Sequence, residues 1–132
     1  MKLAQNLPQR EHILAIAERV SQKYSSPKGQ CEFMTRDLMV ALKNAGMRAN
    51  HVMGNFHLDE PAAFEYISPD DIEDGVDEYA VNHDWVEIGG KILDISAKQF
   101  QPYIHSPIPD ILFISVGDPL ANHYEQLGYA DE

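Results

Sequence analysis

Two adjacent glycines, Gly89-Gly90, constrain this chain more than any other pair of residues in it. They separate two apolar runs: residues 79–88, with Ala80, Val81, Trp85, Val86 and Ile88, and residues 91–95, with Ile92, Leu93 and Ile95. A two-glycine step between strand-like runs is a strong β-hairpin signal, because the favoured hairpin turns need positive φ. With the glycines as the turn, Ile88 pairs with Lys91, His83 falls opposite Ser96, and Asp94 falls opposite Trp85. The side-chain period of two then puts His83, Trp85 and Asp94 on one face. His83 and Asp94 become diagonal neighbours, roughly 7–8 Å apart at the backbone, close enough for a carboxylate to reach an imidazole.

Around this hairpin the rest of the chain reads as helix, helix, then sheet. Residues 10–24 carry Ile13, Leu14, Ile16, Ala17 and Val20 at helical spacing. Residues 31–45 form a second helix whose apolar residues Phe33, Met34, Leu38, Val40, Ala41 and Leu42 predict a wide buried face, stopped at Gly46. Strands are expected over 47–58, 79–88, 91–95 and, as the last element, 111–116. Ser96 starts a short turn of helix over 96–100, and Ser68-Pro69 another over 68–74. The pattern predicts an α+β fold with the N-terminal helices packed on a mostly antiparallel sheet. At 132 residues the chain is expected to be one domain, 1–132, with an acidic insertion at about 59–78.

Net charge is −11. That argues against a nucleic-acid partner or an anionic membrane surface, since both select a basic face. Nine acidic residues and no lysine or arginine lie between Asp59 and Glu78. Such a run reads as a solvated loop, with a cation site or a basic partner as its other uses. No apolar stretch approaches the roughly 18–20 residues of a membrane span, and the N-terminus lacks a signal-peptide core, so a cytoplasmic address is expected. A single cysteine excludes an intrachain disulfide.

That cysteine, Cys31, follows Gly29-Gln30 and opens the second helix. Unpaired N–H groups and the positive end of the helix dipole favour a thiolate there. An imidazole can hold the thiolate as an ion pair, and a carboxylate can fix that imidazole. Packing of the second helix across the His83 face would bring Cys31 to the free ring nitrogen.

Cys31 heading a helix, then His83-Asp84-Trp85-Val86-Glu87, then Ile92-Leu93-Asp94-Ile95-Ser96, resembles the transglutaminase-like branch of the papain-like cysteine hydrolases. Trp85 to Phe100 also resembles small uncharacterised bacterial and phage proteins of this type, and the likeness spans about residues 29–116. It implies a papain-like core with Cys31 as nucleophile, His83 as general base and acid, and Asp94 as the orienting carboxylate. It further implies an acyl-thioester intermediate formed on a peptide, amide or acyl substrate, with no cofactor. The oxyanion would be held by the Cys31 N–H and by a side-chain donor, Gln30 or Asn82, with Trp85 in the cleft wall.

Two rivals come from other classes. One is a non-catalytic interaction module that uses the acidic 59–78 loop. The other is a zinc-dependent hydrolase drawing on His51 and His57 with Asp59 and Glu60, an N/O ligand set. His123 is a further candidate for the cleft lining.

Overall fold

A computed structural model describes residues 2–27, 30–62, 70, 75 and 77–130. The element order is α1 (Lys2–Ser21), α2 (Cys31–Asn44), β1 (Asn50–His57), β2 (Ala80–Ile88), β3 (Lys91–Asp94), a 3₁₀ segment Ala97–Tyr103, β4 (Leu112–Ser115), a second 3₁₀ segment Pro119–His123, and β5 (Tyr124–Tyr129). The five strands form an antiparallel sheet in the order β4-β3-β2-β1-β5. The fold is α+β.

The glycine turn behaves as its residues require. Gly89 and Gly90 have φ of 60° and 75°, and the register runs Ile88 to Lys91, Glu87 to Ile92 and Val86 to Leu93, as the sequence implies. β1 pairs with β2 over the whole length of β1, Asn50 with Glu87 at one end and His57 with Ala80 at the other. Two bonds continue that ladder into the acidic connection: Leu58 N–H to the Tyr79 carbonyl (2.7 Å) and Ala62 N–H to the Glu78 carbonyl (2.8 Å). The insertion is therefore the long loop of a β1–β2 hairpin. The helical turn expected over 68–74 falls almost wholly outside the described residues.

Each sheet face carries its own core. On one, Ile13, Ile16, Ala17 and Val20 of α1 and Met34, Leu38 and Leu42 of α2 meet Val86, Ile88, Leu93 and Ile95. On the other, Val52, Phe56, Val81, Trp85 and Ile92 pack beneath Phe100, Ile104, Ile108 and Leu112, so the 3₁₀ segment and the chain after it form the second layer.

Four expectations need correction. α1 begins at Lys2, well before residue 10, and runs through Pro8; the proline removes one backbone donor, but the helix's described buried face starts only at Ile13. α2 is amphipathic rather than broadly buried, with Phe33 55% and Val40 58% exposed; the 3.6-residue period turns both away from the stripe made by Met34, Leu38 and Leu42. The sheet does not end at residue 116, because β5 returns to pair with β1 across a register shift at Met53/Gly54. And α2 packs on the face opposite His83, since alternation along β2 sends Val86 and Ile88 to the helices and His83 and Trp85 away from them.

Candidate active site

His83 is fully buried in the second layer, and Asp94 is only 2% exposed. Their side chains meet at 2.6 Å, His83 Nε2 to Asp94 Oδ2. An ionised carboxylate only accepts, so Nε2 carries the proton. Asp94 is held from every direction. Tyr124 donates its hydroxyl to Oδ2 at 2.7 Å, and Ser96 donates its N–H (2.9 Å) and its hydroxyl (3.2 Å) to Oδ1. The imidazole lies in an aromatic cage: Phe100 edge-on at 4.9 Å, Phe56 edge-on at 5.8 Å and Trp85 stacked at 6.0 Å, measured between ring centroids. Trp85, 4% exposed, is thus a wall of the histidine's pocket and touches Tyr124 as well.

Cys31 reaches this pocket around the edge of β2. β3 pairs with Val86, Glu87 and Ile88, so among the described residues the first half of β2 has no strand on that side. The first turn of α2 docks there instead. Thr35, itself 3% exposed, has its hydroxyl 3.2 Å from the Asp84 carbonyl and 2.5 Å from the Cys31 carbonyl, linking the helix start to the residue after His83. Cys31 is half-buried. Gln30, at the N-cap, makes no side-chain cap, so the first-turn N–H groups keep their donor capacity.

The electrostatics follow from burial and charge. Burial by itself would drive the His83 imidazole toward its neutral form. The Asp94 charge and bond, with a smaller contribution from the nearby Cys31 thiol, overcome this and raise its pKa to about 10. Burial likewise opposes ionisation of Asp94, and the His83 charge with the bonds from His83, Tyr124 and Ser96 holds it below the usual carboxylate range. Tyr124 is pushed well above its ordinary value by burial and by Asp94. His83 Nδ1 is the one buried side-chain polar atom among the described residues without an aligned hydrogen bond. The Cys31 thiol is near enough to act on the ring, and Nδ1 itself accepts or donates no formed bond.

The other sequence candidates fall elsewhere. Asn82 is exposed and alternates to the face opposite His83, where it lines a cleft beside α2. His51 pairs with Asp84 at 2.7 Å on that same face, and His57 pairs with Glu125 at 2.8 Å. No group of three or more His, Cys, Asp or Glu side chains suited to a metal ion occurs among the described residues. His123 donates Nδ1–H to the His57 carbonyl at 2.7 Å and stacks on Phe56, bracing the end of β1.

Sequence reading missed Ser96 and Tyr124 as partners of Asp94. The first was legible, since Asp-x-Ser is the spacing at which an aspartate accepts the N–H two residues on. The second depends on β5 crossing to β1 and carries no local signal. Among the described residues no helix is long and apolar enough to cross a membrane. Set against known protein families, curated proteins and solved structures, the chain matches none of them.

Proposed function

We propose that this chain is a cysteine-dependent hydrolase or acyltransferase acting on an amide, peptide or acyl group, with a core of the papain-like and transglutaminase-like type. One observation carries the reading: a half-buried thiol at a helix start faces the unbonded Nδ1 of an imidazole whose Nε2 is fixed by a buried carboxylate. A protonated His83 holds the Cys31 thiolate as an ion pair. The thiolate adds to the acyl carbonyl, and the oxyanion collects at the α2 N-terminus, where the Cys31 N–H and Gln30 are the nearest donors. His83 then passes its Nδ1 proton to the leaving amine, and water or a second amine resolves the thioester. Gln30 adjoins Cys31 directly, whereas Asn82 lines the cleft beside α2 and not the His83 pocket.

The test is alkylation of Cys31 by iodoacetamide between about pH 5 and 9, in the native chain and in His83→Ala. A simple thiol, with a pKa of about 8.5, reacts about tenfold faster per pH unit below pH 8 and levels off above it. The native chain is expected to show a shallow profile with substantial reaction at the acid end, and the variant, its fold checked by circular dichroism, the steep one. Superimposable profiles, or a thiol that reacts only after denaturation, would end the enzyme reading.

A further inference from the structure

Among the described residues, two helices, α1 and α2, pack on this face of the five-stranded sheet, and part of the face is left bare. Strands stand about 4.8 Å apart and packed helices about 8–10 Å apart, so each helix covers roughly two strands. α1 and α2 share their core with β2 and β3, and no residue of β1 or β5 joins it among the described residues. The uncovered ground is a cleft of about 1360 Å³ running beside α2, from Glu32 and Arg36 in its first two turns to Lys43 near its end and Met47 just past it. Its apolar lining includes Met39, Val40, Met53 and Leu127, of which Val40 is 58%, Met53 47% and Leu127 66% exposed.

The charges in this cleft sort into used and unused. Glu32 is paired with Arg36 at 2.7 Å and Asp84 with His51 at 2.7 Å, so both carboxylates are satisfied. Lys43 and Arg48 line the same cleft and have no ion-pair partner among the described residues. In a chain of net charge −11, two free cations beside exposed apolar side chains are complementary to an apolar and acidic surface.

We propose that this cleft is a docking site for an amphipathic, acidic α-helix of a partner protein, which lies alongside α2 as the third helix of the layer. Its apolar stripe covers Met53, Leu127 and Val40, and its acidic flank meets Lys43 and Arg48. A helix is favoured over an extended segment because the exposed ground is a sheet face rather than a sheet edge, and a bare sheet face is closed by a packed layer. One end of the cleft reaches Glu32, the residue after Cys31, so the docked helix extends to the start of α2. The docking itself requires no thiol chemistry.

The experiment uses the full chain with Cys31→Ala, which separates binding from reaction. The probe is a fluorescein-labelled peptide of about 15 residues, leucine at every third and fourth position and glutamate between, followed by anisotropy and circular dichroism. Saturable binding with gain of helix is expected, weakened roughly tenfold by Lys43→Glu with Arg48→Glu and, separately, by Met53→Asp. All three positions are exposed, and thermal melts verify that the variants fold. The proposal is overturned if the peptide fails to bind, if a lysine-for-glutamate or proline-broken version binds equally well, or if the substitutions change nothing. Sedimentation showing a dimer that Met53→Asp dissolves would assign the cleft to a second copy and overturn it too. None of these results bears on the iodoacetamide profile, so the two readings fail independently.

Discussion

Asp94→Asn separates a working ion pair from a passive one, and its magnitude can be worked from the contacts. The carboxylate accepts four hydrogen bonds, two on each oxygen: His83 Nε2 and the Tyr124 hydroxyl on Oδ2, and the Ser96 N–H and hydroxyl on Oδ1. An amide of the same shape has one accepting oxygen, so its NH₂ group must face two donors whichever way it turns. The imidazolium also loses its counter-charge inside a core with no exposure. Removing one partner of a buried pair costs about 3–5 kcal/mol. For a chain of 132 residues that is a fall in Tm of about 10–20 °C.

The pH dependence is the sharper readout. The folded His83 is raised from 6.5 to about 10, so its contribution is complete below pH 6.5 and drains away as the pH climbs to about 10. Asp94 is lowered from 3.8, so its contribution is present above that value and lost as the pH falls below it. In the variant only burial acts strongly on His83, favouring the neutral ring, and acidification through 6.5 becomes destabilising. The stability difference between native chain and variant should be largest between about pH 4 and 6.5 and shrink steadily toward pH 10. Trp85, the only tryptophan, stacks on His83 and reports urea unfolding at each pH. A difference that stays flat from pH 6 to 10 would refute the ion pair.

Two further substitutions probe the support of the site. Tyr124→Phe keeps the ring contacts to Phe56 and Trp85 but removes a donor to a charged oxygen; urea titration should give a loss of about 1.5–3 kcal/mol, with the iodoacetamide profile shifted rather than abolished. Gly54→Ala places a methyl 2.0 Å from the Glu125 carbonyl and 2.7 Å from the Trp85 ring, directly across from His83. Because one obstacle is backbone, the cost should reach or exceed the upper end of about 1–3 kcal/mol for overpacking, read as a lower Tm with altered Trp85 fluorescence.

What the sequence made legible was local and periodic. Gly89 and Gly90 set the turn, parity did the rest, and the diagonal meeting of His83 with Asp94 followed before any tertiary packing was known. Tyr124–Tyr129 was not legible: an edge strand with one neighbour, a register shift and a glycine shows no clean alternation to read. Phe33 and Val40 misled because they were counted as apolar without regard to the stripe they would have to share. The docking of Cys31 was anticipated through the wrong geometry. α2 lies on the far face, and its first turn gains access to His83 only because β3 leaves β2 after Val86. That departure is a property of two strands and a helix together, and no window of sequence contains all three.

A buried histidine–carboxylate pair is weak ground for stability, because well-packed apolar residues of similar volume usually do as well or better. Here the surroundings are already suited to them: Phe56, Phe100, Trp85 and Val81 would close readily over two leucines. The chain instead spends four donors on Asp94 and leaves one nitrogen of His83 unbonded toward a thiol. The second pair, His51 with Asp84, is a useful contrast. It joins β1 to β2 at 2.7 Å, close to the 2.6 Å of the first pair, yet it faces the cleft, and among the described residues no ring stacks on its imidazole. Of the two pairs, only His83–Asp94 has both carboxylate oxygens bonded, by Tyr124 and Ser96 as well as by the imidazole. Donors concentrated on that one carboxylate are what the proposed proton transfer would demand, and simple core packing does not require them.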